Sequence, residues 1–219
     1  MSMLTLAAGF QVPAPSHVHS ASLAAQTKQD SSDTVSDYAG TGGIAKGIVS
    51  GLTNAFNAIS PAKEEEVVVK AGKLSPRQLF TGIKEDFVDK RYLWTGLIDD
   101  NLYSEDCLFT DPTLSFRGLS TWKKNVGSLR PLVNALVPEF GVDLLSCELN
   151  EKEKCVRARW RMWGYIKLPW QPAVDVIGRT RFTYDPAEGN RVVDYFETWE
   201  LPAGEALMQL VTPGKRRQQ

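Results

Sequence analysis

Leu102 to Gly118, LYSEDCLFTDPTLSFRG, brings a helix end, a short strand, an Asp-Pro turn and a second helix start into one stretch. Asp111 precedes Pro112, and a residue in that position is pushed out of the helical region, so the chain runs extended into its turn. The expected strand here is residues 107–110. A chain that switches between helix and strand this tightly belongs to a mixed class, and its neighbours on both sides decide which one.

Upstream, Ser75-Pro76-Arg77-Gln78 is a helix start with a mechanism: Ser75 as cap, Pro76 at the first helical position and Gln78 closing a capping box. Leu79, Phe80, Ile83 and Phe87 follow as one apolar stripe. A second helical segment carries Trp94, Leu97 and Ile98 and ends near Leu102 or Tyr103. After Gly118, Ser120 is placed to cap a helix with Trp122, Val126, Leu129 and Val133 inward, and Pro131 should kink or break it.

Downstream the pattern changes to period two. Val156, Ala158, Trp160 and Met162 share one face while Arg157, Arg159 and Arg161 share the other. Val174, Val176, Gly178, Thr180, Phe182 and Tyr184 repeat the pattern against Asp175, Arg179 and Arg181. A turn at residues 185–190 leads to a last strand, Val192 to Leu201. Helices first and a meander of antiparallel strands second give an α+β layout, in which N-terminal helices pack on a strongly curved sheet.

Composition locates the folded unit. All six Trp lie between Trp94 and Trp199, whereas residues 1–72 hold only Phe10, Tyr38 and Phe56 as aromatics. The domain is therefore expected over 73–205, about 130 residues, enough for a single core. A flexible tail is expected at 206–219. Residues 1–28 lack Asp and Glu, are rich in Ser, Ala and Pro, and contain no Arg, the profile of a plastid targeting leader; a mitochondrial presequence would lean on arginine. Residues 29–72 read as a flexible linker. Within it Ile44, Ile48, Leu52, Phe56 and Ile59 recur at helical spacing, so 43–59 could form a short amphipathic helix and touch a membrane surface or a partner's groove. No run reaches the length needed to span a bilayer.

The stretch Tyr103-Ser104-Glu105-Asp106 with Phe109, Asp111-Pro112 and Phe116-Arg117-Gly118 is followed by Pro169-Trp170-Gln171-Pro172 and Glu197-Thr198-Trp199-Glu200. In that order and spacing, over roughly residues 76 to 202, the chain resembles the domain of unknown function 2358 family, which is similar to the nuclear transport factor 2-like, or SnoaL-like, superfamily. The resemblance implies a cone of helices and bent sheet around a pocket, a plastid or mitochondrial location, and compatibility with a homodimer through the sheet face. It implies nothing specific about activity.

The chemistry is bounded mainly by exclusion. Both histidines, His17 and His19, fall in the leader, so the domain has no imidazole nucleophile system and no histidine metal site; no cofactor is expected. Cys107, Cys147 and Cys155 form no close ligand pair, and only Cys147 and Cys155, across a hairpin, suggest a disulfide. A net charge of −1 gives no argument for nucleic acid, and the arginine face lacks the interleaved aromatics of a single-strand binder.

Proton transfer would fall to Asp111 or Glu197, with Tyr103 or Tyr195 as hydrogen-bond donors. Asp111 equally fits a turn-forming role. Tyr195, Glu197 and Trp199 share one face of the last strand, and the alternation leaves open whether that face turns inward, as a perturbed acid in a ligand site, or outward, toward the arginines. Candidate ligand contacts are Phe109, Trp160, Trp170 and Trp199. Arg157, Arg159, Arg161, Arg179 and Arg181 are the candidate partner surface, or a solvated face neutralised by Glu148, Asp175 or Asp194. Three functions follow: binding of an apolar or aromatic small molecule or a protein partner, carboxylate-based isomerase, lyase or hydrolase chemistry, and a scaffold at the thylakoid surface.

Overall fold

The computed structural model describes residues 72–214. The leader, residues 29–71 of the linker with its segment 43–59, and residues 215–219 lie outside the described residues.

Helix α1, Pro76–Val88, starts as its sequence dictates. The Gln78 amide donates to Ser75 Oγ at 3.2 Å and Ser75 N donates to Gln78 Oε1 at 2.8 Å. Leu79, Ile83 and Phe87 are fully buried, while Phe80 is only half-buried beneath Arg77 and Lys84. The second helical segment is shorter than expected: α2, Tyr92–Thr95, is closed by Gly96 at φ 68°, and Leu97 and Ile98 fall outside it. A side chain on Gly96 would also lie 2.7 Å from the Val126 and Gly127 backbone, so a glycine ends the helix there for two reasons.

A 3-10 turn, Asp100–Leu102, leads into β1, Tyr103–Thr110, which starts earlier than the expected strand. β2, Ser115–Arg117, precedes α3, Leu119–Asn125. The cap of α3 is Gly118 at φ 99° and not Ser120. Pro131 sits in the first turn of a separate helix, α4 (Arg130–Leu136), where its missing N–H costs nothing, so it starts a helix instead of kinking one.

Four long strands follow: β3 Glu139–Asn150, β4 Cys155–Tyr165, β5 Ala173–Asp185 and β6 Arg191–Trp199. The sheet order is β2-β1-β6-β5-β4-β3, antiparallel except for the β1–β6 pair. The expected α+β class is the one observed. Register shifts at Tyr103/Leu108, Leu144/Ser146 and Thr183/Tyr184 mark bulges, the local device by which a sheet bends. The inward rows read from the sequence hold: Val156, Ala158, Trp160, Val174, Val176, Thr180, Phe182 and Tyr184 are all buried.

Cys147 pairs in register with Ala158, and Cys155 with Asn150, so the two cysteines point to opposite faces of the hairpin. They are free thiols, as is Cys107, and the suggested disulfide does not form.

Trp160 lies flat over Gly178, held by its indole N–H donating to Thr180 Oγ1 at 2.9 Å. A Cβ on Gly178 would meet Trp160 Cζ2 at 2.4 Å and the Thr198 carbonyl at 3.0 Å. Gly178→Ala is therefore expected to lose about 1–3 kcal/mol in urea unfolding, as overpacked cores do. Unchanged stability would mean that the indole does not occupy this place.

Residues 206–214, expected as part of a flexible tail, carry the end of a helix and hydrogen bonds to the sheet. Helix α5, Ala203–Met208, packs on β5, and Gly214 N donates to the Gln171 carbonyl at 3.1 Å. No period is legible here because the segment is too short to show one; Ala206 is its single buried apolar residue.

Candidate functional site

The last strand turns Tyr195 and Glu197 inward, at 2% and 7% exposure. Cross-strand register explains the placement: Glu197 pairs with Thr180, which pairs with Ala158, so the carboxyl stands above two small side chains on the helix-covered face. The outward alternative is excluded.

Glu197 is the centre of a hydrogen-bonded cluster. Trp199 Nε1 donates to its Oε1 at 2.8 Å, and the Tyr195 hydroxyl bonds its Oε2. The Tyr195 hydroxyl also meets the Tyr92 hydroxyl at 3.1 Å. Trp160, Trp199, Tyr92 and Tyr195 supply rings to the same region. Burial pushes the Glu197 carboxyl up to about 7, against the pull of the Tyr195 and Trp199 hydrogen bonds, with the Asp111 charge adding to the rise. Tyr92 and Tyr195 are held well above the ordinary phenol value, first by burial and then by the Glu197 charge. The arrangement can donate or accept one proton near neutrality within a surrounding of aromatic rings.

Along the same face, from Trp199 across to β4 and β3, the inward row is not closed over. Val142, Leu144, Met162 and Trp199 belong to the concave face by register but are only half-buried. Trp94 lies next to them with its ring over Gly164, where a Cβ would meet Cζ2 at 2.6 Å.

The remaining candidates separate. Asp111 Oδ1 accepts from Thr113 N and Thr113 Oγ1 at 2.6 Å and from Leu114 N at 3.0 Å, so it builds the turn it begins. Tyr103 is in the core at the other end of β1, beside Val192, away from Glu197. Phe109 and Trp160 are core residues, 2% and 1% exposed. Trp170 is 41% exposed, and its indole donates to the Leu210 carbonyl at 2.9 Å, so it anchors the C-terminal segment.

The arginine face points outward, as its alternation with the buried rows requires. Arg159 bonds Glu200 through Nε and Nη2 at 2.7 and 2.8 Å, and Arg179 shares that carboxylate at 3.0 Å. Arg161 pairs with Asp175, Arg157 with Glu153 and Arg181 with Asp194. Asp175 and Asp194 were expected partners; Glu153 and Glu200 take the place given to Glu148. The hydrogen bond from Arg159 is the main reason that the Glu200 carboxyl drops to about 2. The ladder is internally neutralised. A shallow groove lined by Glu148, Leu149, Asn150, Glu151, Lys152 and Arg157 opens at the β3–β4 turn, away from Glu197.

Tyr92 and Thr180 were missed as members of the cluster. Thr180 carried a signal, a polar residue at an inward position of β5. Tyr92 carried none, because its partner is 103 positions away in sequence. Asp86, 1% exposed on the inner side of α1, was also missed; it accepts from Lys90 Nζ at 2.7 Å and from Asp99 N at 3.1 Å. Among the described residues no group of three or more His, Cys, Asp or Glu is placed to hold a metal, and no helix is long and apolar enough to cross a membrane.

Residues 78–192 match the sequence profile of a family described as Uncharacterized conserved protein (DUF2358). No curated protein matches the chain. Among solved structures the chain is similar to a hypothetical protein with a ketosteroid isomerase-like fold from Catenulispora acidiphila, in complex with trimethylamine. That pair has 13% identity and a TM-score of 0.41, covering 62% of this chain and 94% of the other. An NTF2-like protein from Burkholderia thailandensis gives 9% identity and a TM-score of 0.45, covering 64% and 99%. The BvnE pinacolase from Penicillium brevicompactum gives 10% identity and a TM-score of 0.45, covering 65% and 94%.

Proposed function

We propose that this chain, which belongs to the Uncharacterized conserved protein (DUF2358) family, binds a small, largely apolar or aromatic molecule on the concave face of its sheet, with the Glu197 carboxyl as the polar anchor. The observation that carries this reading is the position of Glu197: a buried acid among aromatic rings, bonded to half-buried Trp199, on the face whose apolar side chains on β3 and β4 are also half-covered. An apolar surface with one convergent polar group is the usual composition of a ligand site. A ligand hydroxyl, carbonyl or amine would exchange hydrogen bonds with Glu197 while its body displaces water from Met162, Val142 and Leu144.

The test is capture from a metabolite extract of the source tissue, with bound compounds released and weighed by mass spectrometry. Glu197→Gln keeps the shape of the side chain but removes its ionisation, and a hydrogen bond to a charged group is worth about 1.5–3 kcal/mol, so captured ligand should fall about 10-fold or more. Glu200→Gln, on the outer face, should capture as the parent does. Equal capture by Glu197→Gln and parent would remove Glu197 from the site.

A second reading, proton transfer at a carbon next to a carbonyl, is favoured by one feature: the Glu197 carboxyl is poised near neutrality beside the Tyr195 hydroxyl. Its signature would be turnover that rises with pH through about 7 and is lost in Glu197→Gln. The composition of residues 1–28 supports delivery to a plastid. Fusing those residues to a fluorescent protein and finding it in the cytosol would count against that location.

A further inference from the structure

The face that carries the anchor is already half-open, and the C-terminal segment covers the neighbouring edge of β5. β6 makes its last sheet pair at Trp199 with Gly178, yet β5 runs back to Ala173, which leaves the β6-side edge of residues 173–177 without a strand. Glu200 N covers the first open carbonyl, that of Ile177, at 2.8 Å. Beyond it a side chain substitutes for a strand: Asp175 N donates to Gln209 Oε1 at 2.8 Å, and Gln209 Nε2 donates to the Asp175 carbonyl at 3.1 Å. Trp170 Nε1 to the Leu210 carbonyl and Gly214 N to the Gln171 carbonyl complete the attachment.

Two features make this attachment separable from the fold. Its polar contacts lie at the surface, and its apolar hold consists of buried Ala206 with half-buried Leu201 and Leu210, while Met208 faces solvent at 48% exposure. Segments held by few buried contacts open locally at a small fraction of the global unfolding free energy. The segment follows Pro202, whose fixed φ gives the chain a stiff pivot after Leu201. The edge it covers belongs to the stretch of β5 whose inward residues Val174 and Val176 pair with Gly164 and Met162, on the same concave face as Trp199.

We propose that residues 203–214 are a strap, hinged at Pro202 and latched by Gln209 and Trp170, whose release widens the opening of the concave face to its ligand. The proposal rests on the binding reading for its purpose but not for its motion. Loss of the latch lets α5 swing off β5, exposes the edge at Asp175, and widens access to the half-buried Met162 and Trp199.

The experiment combines hydrogen exchange, hydroxyl-radical footprinting and uptake of the apolar dye 1-anilinonaphthalene-8-sulfonate, in the full chain. In the parent protein, the 210–214 amides should exchange about 10-fold or more faster than the ladder amides of Val176 and Arg181. Equal protection would overturn the strap. In Gln209→Ala combined with Trp170→Phe, radical labelling of Met162 and Trp199 should rise about 5-fold or more, with the unfolding midpoint within a few degrees of the parent. Gln209→Ala alone serves if the double variant folds poorly, with a smaller rise. Increased labelling with dye uptake supports strap and site together. Increased labelling without dye uptake keeps the strap and removes the binding reading. Faster exchange of 210–214 with unchanged labelling of Met162 and Trp199 would show a segment that detaches without opening anything, and would overturn the proposal.

Discussion

Stability against unfolding should fall as pH rises from about 5 to about 8, by several kcal/mol, and Glu197→Gln should flatten much of that decline. The Glu197 carboxyl lies at about 7 in the folded chain against an ordinary 4.5, and Asp86 at about 6 against 3.8, both raised first by burial. A carboxyl with a raised folded value binds its proton more tightly when folded. Its contribution is fully present below the unfolded value and is lost as pH rises through the folded one. For Glu197 the difference corresponds to on the order of 3 kcal/mol, and Asp86 adds a contribution of similar size in a slightly lower window. Glu200 acts in the opposite sense, because its lowered carboxyl loses its pairing with Arg159 and Arg179 only as pH falls below the ordinary range. Stability should therefore peak in the mildly acidic range. Gln at position 197 can still accept from Trp199 and donate to Tyr195, so the fold is kept and the pH-dependent share removed. Urea unfolding of both proteins across this range measures it. Parallel curves for parent and variant would show that Glu197 titrates like a surface acid.

Phe109→Ala is expected to cost about 3–5 kcal/mol, the range for emptying a large aromatic site in a core. Phe109 is 2% exposed, and its ring centroid lies 4.8 Å from Trp122, 5.5 Å from Phe116, 5.6 Å from Tyr195 and 5.8 Å from Tyr103. It joins the parallel β1–β6 pair to α3, so no single neighbour can move to fill the space it leaves. Phe109→Leu, which keeps most of the volume, should cost much less. The same residue was a candidate ligand contact in the sequence, and the two roles separate experimentally. If Phe109→Ala unfolded like the parent while failing to capture ligand, it would be a wall of the site and not a core residue.

The period-two rows of β4 and β5 were legible because one face of each strand is buried and the other carries arginine, so side-chain type reports the face directly. The last strand was not, since its inward face carries Glu197 and its outward face Phe196. A buried acid on one side and a half-buried ring on the other cancel the alternation. Only register against Thr180, a tertiary fact, resolves it. The capping box at Ser75 was legible because its contacts are local, whereas Gly96 ends its helix against the Val126 and Gly127 backbone and Pro131 starts a helix of its own where a kink was expected. Tyr92 and Asp86 belong to the polar interior only by long-range packing. The absence of histidine from residues 73–205, by contrast, is read from composition alone.

The direct test of ligand binding at Glu197 is the intact mass of the protein, isolated gently from its source cells and sprayed under native conditions. A reproducible excess of about a few hundred daltons, the size of a ligand in an interior site, is expected in the parent and should be absent from Glu197→Gln. A clean protein mass in both would contradict the account.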